Sequence, residues 1–323
     1  PITPQNELTS YMAEHMTAKG RVFIQAESEL AAVNMVFGAA AAGARAMTSS
    51  SSPGISLKQE GISYMAAAKI PCVIVNVQRG GPGLGGIGPS QSDYFQSVKG
   101  GGHGDYHTIV LGPANVQEMH DFTIDAFRLA AKYRNPTLIL ADGRLGQMME
   151  PIQLYTGKPP PRLTDDWALT GAKDRSKRVI RSLFLNEDDL ETHNIKLQKS
   201  YDEIRNAEVR HEEFMTDDCD ILIAAWGTCA RIAKGVVKTA RQEGIKAGLV
   251  RPITLWPFPY DAMSRLTDKA ANWLVIEMNA GQMVEDARLA ANGKSKVAFK
   301  GFLGSRVPKE SEILEELRRV YHD

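Results

Sequence analysis

The chain has 323 residues, of which 43% are hydrophobic and 24% are charged, which is enough for a sizeable buried core in about two domains. Lys and Arg number 38 and Asp and Glu also number 38, so the formal net charge is zero and no basic excess supports nucleic-acid binding. The apolar runs are too short to span a bilayer and no signal segment opens the chain, so we expect a cytoplasmic protein without membrane or nucleic-acid partners.

The opening residues Pro1-Ile2-Thr3-Pro4 have the pattern of an extended turn that leads into a helix. A strand should precede such a turn, so we expect the first element to be missing. The elements predicted next are a helix over 7–17, a strand over 21–25, a helix over 28–42, strand 46–48, helix 56–69, strand 71–77, strand 108–111, helix 115–133 and strand 137–141. This alternation predicts a parallel sheet covered by helices on both faces.

The composition changes after residue 150, where Lys158-Pro159-Pro160-Pro161 predicts a stiff linker. The charged stretch 187–215 carries apolar residues seven apart, which predicts one long amphipathic helix. That helix could lie as an arm across another surface or pack on its own domain, and the sequence leaves both open. A second alternating unit begins at Asp220. We therefore predict a first domain over 1–155, a linker with the long helix over 156–214, and a smaller α/β domain over 215–323.

Three cysteines lie far apart, at Cys72, Cys219 and Cys229. No pair has the two-residue spacing of a zinc or redox site, and iron–sulfur clusters usually need four thiolates. We expect no disulfide, no metal site and no iron–sulfur cluster within this chain.

Two glycine-rich loops match known nucleotide sites poorly. Residues 81–86 fit Gly-x-Gly-x-x-Gly, but Pro89 soon interrupts and no acidic residue stands at the required strand end. No Gly-Lys-Ser/Thr follows, which excludes a P-loop. Gly104-Asp105-Tyr106 nearly fits the Gly-Asp-Gly that begins the magnesium–diphosphate site of thiamine diphosphate enzymes, but it lacks the third glycine. We predict a loop and a turn at these places.

Candidate functional residues follow the strands at their carboxyl ends, where open parallel sheets bind ligands. Glu29, in the first turn of an Ala-rich helix, could be a desolvated catalytic carboxylate or could simply complement the helix dipole, and Glu27 competes with it. Arg79 suits a substrate carboxylate, although surface arginines are common. Ser49–Ser52 offer hydroxyls and amides to a ligand, or form a plain loop. His103 could act as an acid–base group, but nothing in the sequence fixes its partner.

Several sequence blocks together resemble the α-type subunit of 2-oxoacid:ferredoxin oxidoreductases over nearly the whole chain. The Ala-Glu-Ser-Glu and four-serine blocks look most like the branched-chain (2-oxoisovalerate) members, and the 2-oxoglutarate members resemble the chain slightly less. The blocks are, in chain order, Pro1-Ile2-Thr3-Pro4, Gln25-Ala26-Glu27-Ser28-Glu29, Ser49-Ser50-Ser51-Ser52-Pro53-Gly54, Gln78-Arg79-Gly80-Gly81-Pro82-Gly83, Pro89-Ser90-Gln91-Ser92-Asp93 and Gly102-His103-Gly104-Asp105-Tyr106.

The resemblance implies an α/β fold in which a pyrimidine-type thiamine diphosphate domain precedes a smaller domain like the C-terminal domain of transketolase. It also implies oxidative decarboxylation of a 2-oxoacid, with coenzyme A as acyl acceptor and ferredoxin as electron acceptor. By the same resemblance Glu29 is the catalytic glutamate that hydrogen-bonds the aminopyrimidine ring. Thr3 lies near the substrate carbonyl and Arg79 holds the substrate carboxylate. We place Ser51 and Ser52 at the cofactor.

The partners that the resemblance implies are a β-type subunit with the diphosphate and magnesium, a ferredoxin-like subunit with iron–sulfur clusters, and a γ-type subunit. We also expect a contact between two copies of this chain. Three alternatives stay open at this stage. The chain could belong to a 2-oxoglutarate or pyruvate enzyme, to a non-oxidative thiamine enzyme that needs neither ferredoxin nor coenzyme A, or to an assembly subunit without a catalytic residue of its own.

Overall fold

A computed structural model of the protein describes residues 1–158 and 166–322. The predicted proline linker at 159–161 lies outside the described residues. The three cysteines are free and buried. Within the described ranges, no helix is both long enough and apolar enough to cross a membrane.

The first half of the chain alternates between helices and strands, as the sequence pattern predicts. Strands β1, β2, β4 and β3 lie side by side in that order and run parallel, so their carboxyl ends share one edge of the sheet. The elements are α1 (Asn6–Ala18), α2 (Glu29–Ala41), β1 (Met47–Ser50), α3 (Ser52–Ala67), β2 (Val73–Gln78), α4 (Tyr94–Val98), β3 (Ile109–Leu111), α5 (Val116–Tyr133), β4 (Thr137–Asp142) and α6 (Gly143–Gly146).

The strand predicted over 21–25 is wrong, because these residues have no regular secondary structure. Val22 is 78% exposed and Ile24 is 63% exposed, so this apolar run packs against little of the described chain. A strand needs a neighbour for its backbone hydrogen bonds, and none lies beside this segment. The β propensity of the residues was therefore not sufficient.

The second half forms another sheet of five strands in the order β10-β9-β6-β7-β5. Its strands are parallel except for β5, which runs antiparallel to β7. The elements are α7 (Glu187–Ala207), β5 (His211–Phe214), β6 (Ile221–Ala225), α8 (Gly227–Gln242), β7 (Ala247–Pro252), β8 (Thr254–Trp256), α9 (Tyr260–Leu266), β9 (Asn272–Glu277), α10 (Met283–Ala291), β10 (Lys296–Gly301) and α11 (Glu310–His322).

Helix α7 is shorter than predicted, because the residues just after it pair with β7 as strand β5. Its apolar seam packs on the chain itself, with Leu197, Tyr201 and Ile204 buried. The ring of Tyr201 meets Trp256 edge to face, with the ring centroids 5.8 Å apart. The buried part of the seam therefore packs on the chain itself, while Leu190 is 41% exposed, and the interpretation as an arm across another surface stays a prediction.

The two sheets are joined because one strand from the second half of the chain pairs with the first sheet. Strand β8 follows β7 directly in the chain, yet it pairs antiparallel with β3 and forms the edge of the first sheet. Buried polar contacts cross the same boundary. The guanidinium of Arg251 donates to both carboxylate oxygens of Glu118, at 2.9 and 2.5 Å, and Gln91 Nε2 donates to the carbonyl of Trp226 at 2.9 Å. The first sheet is therefore complete only with residues from the second half.

Candidate functional site

The central feature of the site is the connection between β1 and α3, residues Ser50–Gly54, called the serine turn below. β1 ends at Ser50, Ser51 is the extended N-cap residue, and α3 begins at Ser52 with Pro53 in its first turn. Proline is favoured there because the first helical amides need no partner within the helix. The hydroxyls of Ser50 and Ser51 are buried and have no hydrogen-bond partner in the described chain. Unpartnered buried hydroxyls are costly, and two neighbouring ones at the end of a strand indicate a place where a ligand could bind.

Glu29 reaches this turn from the start of α2. The hydroxyl of Ser28 accepts a hydrogen bond from the amide of Ala31 at 3.2 Å, which fixes the first turn of the helix. The carboxylate of Glu29 then lies against Gly54, where an added Cβ would come within 2.6 Å of Oε1. Glu29 is half-buried, whereas Glu27 is exposed. The structure therefore brings Glu29 to the turn and leaves Glu27 in solvent.

Gly54 leaves room for the Glu29 carboxylate, and this gives a first testable prediction. A Cβ at position 54 would meet Ser50 Oγ at 2.1 Å and Glu29 Oε1 at 2.6 Å, so both side chains would have to move. The sequence analysis predicts that Glu29 is catalytic, so we expect Gly54→Ala to lower kcat by about tenfold or more, because displacement of a catalytic group by roughly 1 Å has large rate effects. Steady-state kinetics of the assembled enzyme would measure the loss.

Gly38→Ala is the matched control for this prediction, since it also places a methyl group on a helical glycine. Nothing lies within 4 Å of a Cβ at position 38. This variant should keep its activity and gain about 0.5–1 kcal/mol in the free energy of unfolding. Full activity of Gly54→Ala would show that Glu29 does not need its observed position.

Arg79 lies on the other side of the serine turn, just beyond the end of β2. Its guanidinium donates to two backbone carbonyls, of Thr3 and Leu84, each at 3.1 Å. Its Nε is buried without a partner, and no acidic side chain of the described residues forms an ion pair with it. A half-buried cation that is held only by carbonyl groups is suited to bind an anion such as a carboxylate.

Thr3 is brought beside Arg79 by the packing of the opening segment. Pro4 is buried and lies close to Gly143, where an added Cβ would be 2.8 Å from its ring. The hydroxyl of Thr3 accepts a hydrogen bond from Asn6 Nδ2 at 3.3 Å, while its carbonyl holds Arg79. Thr3 therefore contacts Arg79, and the backbone of Arg79 contacts the same turn that Glu29 lies against, while the roles of all three residues stay predictions.

The hydroxyl of Ser52 is already occupied, unlike those of Ser50 and Ser51. It donates to Asp93 Oδ2 at 2.6 Å and accepts from the amide of Arg79 at 3.0 Å. The assignment of Ser51 and Ser52 to the cofactor stays a prediction, and the geometry adds Ser50 as the hydroxyl beside Glu29. The sequence analysis gave Asp93 no role, although it quoted the block that contains this residue.

Lys58 is a second residue near the site that the sequence analysis missed. It lies one turn after Gly54 on α3, is 1% exposed, and donates to Thr48 Oγ1 at 2.7 Å and to the carbonyl of Ser49 at 3.0 Å. Burial lowers the pKa of the Lys58 ammonium to about 8, and the negative charge of Glu29 acts in the opposite direction. A lysine in a helical pattern is normally placed on the solvent side, so no sequence signal indicated its burial.

The other candidate segments add no side chain to this cluster, although the loop over 80–88 contacts Arg79 through the carbonyl of Leu84. The loop over 80–88 closes on itself, since the amide of Gly80 donates to Gly88 at 3.0 Å and that of Gly86 donates to Gly80 at 2.9 Å. No helix opens at Gly86, so the loop is not a dinucleotide site. His103 is exposed. A cleft of about 860 Å³ lies between residues 99–107 and α7, and none of its lining residues belongs to the cluster.

Comparisons with known proteins show the family to which the chain belongs. The family model described as "Pyruvate flavodoxin/ferredoxin oxidoreductase, thiamine diP-bdg" matches residues 1–215, and "Pyruvate:ferredoxin oxidoreductase core domain II" matches residues 219–313. The ketoisovalerate oxidoreductase subunit VorB of Methanothermobacter thermautotrophicus is 49% identical over 323 residues, which are 100% of this chain and 92% of that protein. The 2-oxoglutarate synthase subunit KorA of Archaeoglobus fulgidus is 38% identical over 297 residues, covering 88% of this chain and 83% of that protein.

Solved structures place the fold in the same group. A 2-oxoglutarate:ferredoxin oxidoreductase from Magnetococcus marinus, with 2-oxoglutarate, coenzyme A and succinyl-CoA bound, matches with a TM-score of 0.86 and 26% identity. The match covers 99% of this chain and 61% of that one. A split-gene transketolase matches with a TM-score of 0.61 and 12% identity, over 99% of this chain and 92% of that chain, which supports the fold alone. The predicted fold class is confirmed, and the chain belongs to the pyruvate flavodoxin/ferredoxin oxidoreductase family, as a subunit of the 2-oxoacid:ferredoxin type.

Proposed function

We propose that the chain is the catalytic α-type subunit of a 2-oxoacid:ferredoxin oxidoreductase that acts on 2-oxoisovalerate. The overall reaction converts a 2-oxoacid and coenzyme A into an acyl-CoA, carbon dioxide and a proton, and it delivers two electrons to ferredoxin. The observation that carries the proposal is the position of Arg79. Its guanidinium has no acidic partner in the described chain, and its backbone amide bonds to Ser52 of the serine turn, against which Glu29 lies. This arrangement supports an anion site near the Glu29 carboxylate.

The residues at the serine turn fit a bound aminopyrimidine. The buried hydroxyls of Ser50 and Ser51 lack partners in the described chain, and the absence of a side chain at Gly54 lets the Glu29 carboxylate lie against the turn. Thiamine diphosphate, when bound, supplies the carbanion chemistry of the decarboxylation. In this proposal Glu29 holds a ring nitrogen through its carboxylate and exchanges a proton with it. Arg79 orients the substrate by its carboxylate, and Thr3 lies at the substrate carbonyl.

A branched-chain substrate is supported by two observations. The relative with 49% identity is named a ketoisovalerate oxidoreductase subunit, whereas the 38% relative is named for 2-oxoglutarate. A 2-oxoglutarate enzyme needs a second cation for the distal carboxylate, and Lys58, the buried cation next to β1, is already bonded to Thr48 and Ser49. An apolar pocket discriminates by only about 1–3 kcal/mol per methylene, so we expect several branched 2-oxoacids to be accepted.

We further propose that partner subunits complete the enzyme in the cytoplasm. A β-type subunit would carry the diphosphate and magnesium, an iron–sulfur subunit would take the electrons, and a γ-type subunit and a second copy of this chain would complete the assembly. Exposed apolar side chains on the elements next to Glu29 support a protein interface there, because such side chains in a group mark association surfaces. Helix α1 contributes no buried residue at all. The exposed side chains are those of Tyr11, Val22, Ile24, Leu30, Met35 and Leu57.

Purification of the complex from the native host tests this function. We expect this chain, a β-type chain, iron and thiamine diphosphate in one chromatographic peak. Assays of that peak with a viologen acceptor should show coenzyme A-dependent oxidation of 2-oxoisovalerate with kcat/KM at least about tenfold above that for 2-oxoglutarate. Turnover without coenzyme A or acceptor, in a complex that lacks iron, would instead identify a non-oxidative thiamine enzyme.

A further inference from the structure

We propose that Asp93 is a positioning residue for the substrate carboxylate, because it holds Arg79 in place through the hydroxyl of Ser52. The inference rests on the proposed function, in which Arg79 binds the 2-oxoacid. Asp93 is the last residue of the block Pro89-Ser90-Gln91-Ser92-Asp93. The proposed function gives no residue of this block a role.

The first contact runs from Asp93 to the backbone of Arg79. Asp93 Oδ2 accepts from Ser52 Oγ at 2.6 Å and from Asn76 Nδ2 at 2.9 Å. Ser52 Oγ in turn accepts from the amide of Arg79 at 3.0 Å. The hydroxyl has one proton and two acceptors within reach, Asp93 Oδ2 at 2.6 Å and the carbonyl of Arg79 at 3.3 Å. The shorter contact to the carboxylate is favoured, and it leaves a lone pair for the Arg79 amide. The carboxylate of Asp93 therefore sets the orientation of Ser52, and Ser52 fixes the residue that carries the guanidinium.

A second contact fixes the chain just before Arg79. The amide of Asp93 donates to Gln78 Oε1 at 3.0 Å, and Gln78 Nε2 donates to the carbonyl of Ala141 in β4 at 3.2 Å. The loop over 80–88 thus leaves the sheet at Arg79 and returns to the same place at Asp93. Its carbonyl at Leu84 also holds the guanidinium. Arg79 directly follows β2, and Asp93, after the loop, is bonded to Gln78 at the end of the same strand.

The ordinary role of an aspartate at this position is excluded by its geometry. Asp93 is the N-cap residue of α4, where aspartate normally accepts from the helix amides, but its side chain makes no such bond. The amide and hydroxyl of Ser97 bond to the Asp93 carbonyl instead, at 3.0 and 2.8 Å. The carboxylate faces the serine turn, away from the helix that it precedes.

Charge at this position also favours a role in positioning. Asp93 Oδ2 accepts from the neutral Ser52 and Asn76, and the guanidinium of Arg79 bonds only to carbonyl groups within the described chain, so its charge is available for an anion. Burial raises the pKa of Asp93, while the hydrogen bonds from Ser52 and Asn76 lower it again. Hydrogen bonds to a charged acceptor are stronger than neutral ones, so this contact holds Ser52 more firmly than a neutral acceptor would.

The test compares Asp93→Ala and Ser52→Ala in the assembled complex. Assayed at saturating thiamine diphosphate, each variant should raise KM for the 2-oxoacid about tenfold, the value of one charge-assisted hydrogen bond, and leave KM for coenzyme A within about twofold. Asp93→Asn keeps an acceptor for Ser52 and should recover most of the affinity. In an Arg79→Met background, Asp93→Ala should add no further increase in KM. Asp121→Asn, on the exposed side of α5, is the control for loss of an aspartate charge.

The outcomes separate this inference from the proposed function. If Arg79→Met leaves KM unchanged, the proposed function of Arg79 fails. If Arg79→Met raises KM but Asp93→Ala and Ser52→Ala do not, only the present inference is overturned. A loss of thiamine diphosphate affinity in Ser52→Ala with unchanged KM for the 2-oxoacid would also overturn it, since Ser52 would then serve the cofactor. If Asp93→Ala does not fold, Ser52→Ala decides alone, because it breaks the same connection and leaves the aspartate in place.

Discussion

Glu29→Gln should lower kcat of the assembled enzyme by about 10²–10⁴-fold, the range that general acid–base groups contribute. The amide keeps the shape of the side chain beside Ser50 and Gly54 but no longer exchanges a proton with a bound ring nitrogen. Complex formation, measured by size-exclusion chromatography, should stay unchanged. Steady-state rates with saturating 2-oxoacid, coenzyme A and acceptor give the size of the loss.

Glu27→Gln is the matched control, because this carboxylate stands two residues earlier and is exposed. Its activity should stay within about twofold of the original, as for most surface substitutions. An assembly subunit without a catalytic residue predicts normal activity for both variants. Equal losses in both would show that the total charge near α2 matters and that the position of Glu29 does not.

Arg79→Met should raise KM for the 2-oxoacid by about 10²-fold, corresponding to roughly 3 kcal/mol for the loss of a charged contact to a carboxylate. Methionine keeps most of the apolar stem but cannot donate to Thr3, Leu84 or a bound anion. Arg79→Lys should give a smaller increase, because an ammonium restores the charge without the planar fork. Initial rates over a wide range of 2-oxoacid concentration would separate the changes in KM and kcat.

Arg318→Met controls for the loss of an arginine, since Arg318 pairs with Glu243 at an exposed position far along the chain. KM should not change in that variant. A fall in kcat at constant KM in Arg79→Met would contradict ground-state binding and would assign Arg79 to the reaction step itself.

The local sequence pattern predicted much of the fold. Helix α5 begins where Asn115 and Glu118 have the capping spacing, and Asn115 Oδ1 accepts from the Glu118 amide at 2.8 Å. Strands β2 and β4 are buried along their whole length, as continuous apolar runs indicate. The segment over 21–25 has a similar composition, but it lacks a neighbouring strand. Propensity alone could not reveal that difference.

The candidate site was predictable in its residues and less so in its connections. Glu29 and Arg79 could be chosen because each follows or ends an element at the edge where parallel sheets bind ligands. Asp93 accepts hydrogen bonds from Ser52, which is 41 positions away in the chain, and from Asn76, which is 17 positions away. No local rule relates such positions. The start of α3 was also predicted four residues late, at residue 56, because serine runs favour loops on average.

The pairing of β8 with β3 of the first sheet has a consequence for the unfolding of this protein. The junction between the two matched family models, after residue 215, is not a boundary between independent cooperative units. A fragment that ended there would leave β3 as a bare sheet edge, whose open backbone groups invite aggregation. Heating should therefore melt both halves in one transition, so a weakened C-terminal half would also disrupt the packing around Glu29 and Arg79 in the first half of the chain.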